Sequence, residues 1–110
     1  MNWDAAVSEV MFKTSQGRVP QRVEFIDFLV LNYPISIKDL EEKCRQINGI
    51  PESTYVGVVR DNAYINPVTK IIHGKDRRLT KDPWLIFDRS ERLYHVNEAF
   101  ATAWKKGRGL

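Results

Sequence analysis

At 110 residues, with 43% hydrophobic and 28% charged side chains, the chain has the length and composition of one globular domain with a modest core, which excludes a disordered polypeptide. Its longest strongly apolar run, Phe28 to Leu31, falls far short of the roughly 20 residues that span a bilayer. The opening MNWDAAVSEV lacks the basic-then-apolar order of an export signal, so a cytoplasmic location without a membrane partner is expected.

Cys44 is the only cysteine, so no internal disulfide can form, and with just His73 and His95 beside it no zinc-finger spacing exists. Neither a metal nor a cofactor is expected. The net charge of +3 is unevenly spread. Residues 1 to 52 carry six Lys or Arg against eight Asp or Glu, residues 53 to 92 eight against five, and residues 93 to 110 three against one. A basic surplus in the later half hints at a polyanionic partner, although many basic faces are simply solvated.

Along the chain, Trp3, Ala6, Val7, Val10 and Met11 recur at the spacing of one helical face and predict a helix over 3–15. Gly17 and Pro20 break that pattern, and 18–21 reads as a polar joint. From Gln21 to Asn32 the apolar content is too high for a surface helix, so this is expected to be the most buried one, with a strand over FLVL as the alternative. Pro34 ends it. Ser36, with Asp39 three residues later, forms a shortened capping box that opens a helix over 37–47. Ile37, Leu40, Cys44 and Ile47 share one face of it, Cys44 reads as a small buried apolar residue, and Asn48-Gly49 supplies the stop.

Pro51 and Glu52 suit the first turn of a further helix over 52–64, with Val56, Val59 and Ala63 facing the core and Ser53, Thr54, Gly57, Arg60, Asp61 and Asn62 left on the other side. After Pro67 the helical period is lost, and 66–83 is expected to be a long basic loop, with VTKII as a short strand within it. Residues 84–96 read as strand, turn and strand. Asn97 can cap a final helix over 97–106, after which Gly107-Arg108-Gly109 is expected to fray and KKGRGL to open a linker. The three tryptophans, Trp3, Trp84 and Trp104, read as packing residues rather than stacking platforms.

A capped helix (SIKDLEEKCRQI), a turn (NGIP), a second helix opening with hydroxyl residues (ESTYVGVVRDN) and a hairpin (WLIFDRSERLYHV) together resemble the winged helix-turn-helix superfamily. More weakly, the layout looks like small winged-helix modules attached to prokaryotic restriction and defence proteins. The resemblance covers 36–96. It implies a mainly α chain with a small β-hairpin (α+β), divided into a helix-turn-helix at 36–64, a basic loop at 66–83, a wing hairpin at 84–96 and a C-terminal helix at 97–106. The connection to the wing and the turn INGIPE are both longer than the simple motif has.

What the resemblance implies is binding of double-stranded DNA by a transcription regulator or by the recognition module of a restriction-modification or defence system. Helix 52–64 would lie in the major groove. Ser53 and Thr54 would approach phosphate or base, Tyr55 the backbone, Arg60 a guanine edge or a phosphate, and Asn62 an adenine. Lys70, Lys75, Arg77, Arg78, Lys81, Arg89 and Arg92 would displace condensed counterions along the phosphates.

Each residue also has a plainer role open to it. Ser53 and Thr54 can cap their own helix, Arg77 and Arg78 can be a solvated loop, and His73 can be exposed without a task. A catalytic reading finds only Glu41-Glu42-Lys43, an acid and a lysine of the kind a metal-dependent nuclease sets on a strand. In a helix, residues two apart diverge, so no enzyme is expected. The rival function is a winged helix that contacts protein, because fold does not fix function. A homodimer through the apolar face Ala99, Phe100, Ala103 and Trp104, or attachment to a larger enzyme, is also open.

Overall fold

The computed structural model describes residues 2–15, 20–48, 65–75 and 80–110. Numbered in chain order, its elements are α1 (Trp3–Ser15), α2 (Pro20–Asn32), β1 (Ile35–Ser36), α3 (Ile37–Asn48), α4 (Ile65–His73), β2 (Leu85–Asp88), β3 (Leu93–Val96) and α5 (Glu98–Arg108). The fold is therefore mainly helical with one small antiparallel sheet of order β1-β3-β2. None of the described helices is long and apolar enough to cross a membrane.

Helix α1 buries Trp3, Ala6, Val7 and Val10, the face that its periodicity marks out. The FLVL segment is helical, and Val23, Phe25, Ile26, Leu29 and Val30 make α2 a principal core element. Helix α3 begins where Ser36 Oγ accepts the amide of Asp39 at 3.1 Å, satisfying one of the free donors of its first turn. Leu40 and Cys44 then point inward, and burial, helped by the nearby Glu41 charge, pushes the Cys44 thiol up to about 12, so it stays protonated and inert.

The expected basic loop at 66–83 is corrected at its start, because Ile65–His73 is a helix rather than a loop or a strand. Pro67 lies in the first turn of α4, where its missing amide hydrogen costs nothing, so it opens the helix instead of breaking it. Val68 and Ile72, four residues apart, are buried together, and Thr69 between them is fully buried as well. The Thr69 hydroxyl accepts the Trp84 indole N–H at 3.2 Å, tying α4 to the entry of β2. Thr69→Val keeps the shape but strands that indole donor, and should lower stability by about 1–3 kcal/mol. A urea midpoint equal to that of the unsubstituted chain, at equal slope, would show that the bond contributes nothing.

The hairpin is present as expected. Leu85 pairs with Val96 and Phe87 with Tyr94 on the inner face, while Ile86 pairs with His95 and Asp88 with Leu93 on the outer one. The two-residue β1, which sequence patterning misses, adds Ile35 opposite Tyr94 and Ser36 opposite Leu93.

Asn97 caps α5, its side-chain oxygen accepting the Phe100 amide at 3.0 Å. The helix does not fray at Gly107. It continues to Arg108 and ends at Gly109 in the left-handed conformation, with the Leu110 amide closing onto the Lys105 carbonyl at 2.9 Å. Gly107 sits at a close approach, since a Cβ there would stand 3.0 Å from Val7 Cγ1 and require that side chain to give way where α1 packs on α5. Phe100 lies at the centre of the core, its ring 5.5 Å from Trp3, 5.2 Å from Trp84 and 5.8 Å from Trp104. The face proposed for a dimer is thus spent inside the chain, with Phe100, Ala103 and Trp104 buried and Ala101, not Ala99, completing it.

His73 is not an exposed histidine. Its ring meets Trp3 edge-on at 5.7 Å, and both ring nitrogens are shielded from solvent without a hydrogen-bond partner. Burial holds its pKa below the usual 6.5, with Lys75 acting in the same direction and Asp82 opposing it. Such a group stabilises the fold above the unfolded-state pKa of about 6.5, and the contribution is lost as pH falls through the lower folded-state value. Between pH 7.5 and 5, His73→Gln should therefore lose less stability than the unsubstituted chain. Parallel losses would show that His73 is not the acid-sensitive group.

Candidate nucleic-acid interface

Exposed basic residues that could meet a polyanion lie on the hairpin and on the stretch of chain that precedes it. Leu85 to Asp88 and Leu93 to Val96 form the two strands because apolar residues alternate inward against the core, which projects the connection 89–92 away from it. Asp88 organises that tip. Its Oδ1 accepts the amides of Ser90 at 2.9 Å and Glu91 at 3.1 Å, the way a short acid stabilises a turn at its own position. Arg92 closes the turn at φ 59°, a left-handed conformation that favours glycine. Arg89 and Arg92 are both exposed.

Lys70, in the last turn of α4, Lys75, just beyond it, and Lys81, ahead of β2, are exposed too. Among the described residues none of these five cations forms a salt bridge, which is also true of Lys13, Lys38, Lys105 and Lys106, while two arginines elsewhere are paired. Arg45 pairs with Glu41 at 3.3 Å and with Glu42 on α3, which holds the Glu42 carboxyl below the usual range. Arg108 holds Asp27 at 2.8 Å, a contact that keeps the guanidinium pKa above its usual value. Asp82, in the basic segment, accepts from Asn97 Nδ2 at 3.0 Å. Asp88 is turned onto the tip backbone, while Glu91 remains exposed between the two tip arginines.

Of the twelve residues that sequence reasoning assigns to DNA, Lys70, Lys75, Lys81, Arg89 and Arg92 are thus at exposed positions. Ser53, Thr54, Tyr55, Arg60, Asn62, Arg77 and Arg78, and with them helix 52–64, lie outside the described residues. Sequence reasoning missed the grouping of Asp88, Glu91 and His95, whose ligand atoms all lie within 4.8 Å of one another. Strand alternation could have shown it, since the antiparallel register sets Asp88 and His95 diagonally on one face.

The acid and lysine triplet lies in α3, where Glu41 and Glu42 face Arg45 and Lys43 Nζ lies 5.2 Å from the centre of the Phe28 ring. A cleft of about 350 Å³ beside it, lined by the apolar Phe28, Pro34 and Ile35 and by the polar Asn32, Asp39, Glu42, Lys43 and Gln46, is open to solvent. The chain matches no family model, no curated protein and no solved structure.

Proposed function

We propose that the chain is a winged helix-turn-helix domain that binds double-stranded DNA, as a regulator or as the recognition module of a restriction or defence system. The observation that carries this reading is the set of exposed cations without a salt bridge among the described residues, Arg89 and Arg92 on the hairpin and Lys70, Lys75 and Lys81 on the chain before it, with the hairpin paired to β1. β1 runs directly into α3 and pairs with β3, so the hairpin is tied to the start of α3. A hairpin connected in that way lets its backbone contacts fix the register of a helix in the groove. Helix 52–64, with Ser53, Thr54, Tyr55, Arg60 and Asn62, supplies the base contacts in this proposal, and Arg77 and Arg78 join the phosphate set.

A second reading, a protein-contact module, draws on one observation. The outer face of the hairpin carries Ile86 at 43% exposure on β2, a strand at the edge of the sheet. Selection of a random duplex pool by the purified chain across a salt series separates the two. Steeply salt-dependent retention with an enriched motif supports a sequence reader, and no retention at low salt leaves the protein-contact reading.

A further inference from the structure

We propose that Asp88, Glu91 and His95 form a binding site for a first-row divalent transition metal at the tip of the β2–β3 hairpin. Their ligand atoms all lie within 4.8 Å of one another. Two features separate this group from an ordinary surface cluster. One member is an imidazole whose Nε2 is shielded from solvent and has no hydrogen-bond partner. The three side chains also converge without bonding one another or any cation among the described residues, the one link between them being the Glu91 backbone amide on Asp88 Oδ1.

The fold prepares the donors. Asp88 and His95 project from the same outer face of paired strands, and the Ser90 and Glu91 amides hold Asp88 Oδ1, leaving Oδ2 without a hydrogen bond. Glu91 is exposed on the turn and can swing by side-chain torsion alone. Metal–ligand bonds of about 2.0–2.2 Å need the donors to close by about an ångström, which side-chain rotation supplies. One nitrogen and two carboxylate oxygens favour zinc, manganese or ferrous iron over magnesium or calcium, which prefer oxygen alone. A divalent charge also cancels the two carboxylates, leaving Arg89 and Arg92 as the net charge of the tip.

The site stands apart from the DNA reading and is tested without nucleic acid. Zn²⁺ is titrated into the intact chain by calorimetry, and the imidazole resonances of both histidines are followed by NMR. One zinc per chain, a shift of the His95 signals but not those of His73, and persistence in excess Mg²⁺ are expected. Glu91→Gln and His95→Gln should each weaken binding at least about tenfold. Glu91 is on the surface, so its variant keeps the fold, as circular dichroism can verify. No saturable binding, unchanged affinity in Glu91→Gln, displacement by Mg²⁺, or a shift at His73 instead would each overturn the assignment.

Discussion

Trp104→Ala should cost about 3–5 kcal/mol, a large part of the roughly 5–15 kcal/mol that holds a domain of this size together. Trp104 is fully buried, packs on Phe100, and donates its indole N–H to Asp27 Oδ1 at 2.7 Å. Truncation opens a cavity between α2 and α5 and takes one donor from Asp27. The carboxylate keeps the Arg108 guanidinium, whose Nε and Nη2 approach at 3.0 and 2.8 Å, so it is not left unpaired. Trp104→Phe, which keeps most of the packing, should therefore lose much less. Urea unfolding of the two variants separates cavity from hydrogen bond, and equal losses in both would mean that the Asp27 contact, not packing, dominates.

Reversing both tip charges, Arg89→Glu with Arg92→Glu, should weaken DNA binding at least about tenfold at low salt and make the salt slope shallower by about two, close to 0.9 per lost phosphate contact. Both side chains are exposed, so the fold should tolerate the change. Arg92→Gly is the sharper companion. It relieves a left-handed residue at φ 59°, worth about 1 kcal/mol, while removing the cation, so stability should hold or rise as affinity falls. Glu42→Ala, on the Arg45-paired surface of α3, should leave binding nearly unchanged. Binding across a salt series reads all three, and an unaltered slope in the double variant would remove the hairpin from the interface.

Most of the elements could be read before folding because each carries a local signal. Trp3, Ala6, Val7 and Val10 repeat at helical spacing, Ser36 and Asn97 stand at helix starts, and Leu85, Phe87, Tyr94 and Val96 take every second place along their strands, all facing inward. α4 was not legible, since Pro67 can break a helix or open one, and the β-branched run VTKII suits a strand as well. β1 was not legible either, because a two-residue strand exists only through its partner β3. Within the candidate site, the residue types of Lys70, Lys75, Lys81, Arg89 and Arg92 were visible. What stands beside each of them was not, and a cation is free or spent according to its neighbours in space.

By itself the sequence determined the helical majority, the hairpin, the inert single cysteine and the packing role of the tryptophans, because propensity, capping and periodicity act over a few neighbouring residues. Tertiary structure alone decided that Asp27 answers Trp104 and Arg108, that His73 is enclosed against Trp3, and that the face of α5 is spent on its own core. Only folding brings Asp88, Glu91 and His95 together, since that convergence depends on the pairing register of two strands and on a turn that sets their side chains on one face.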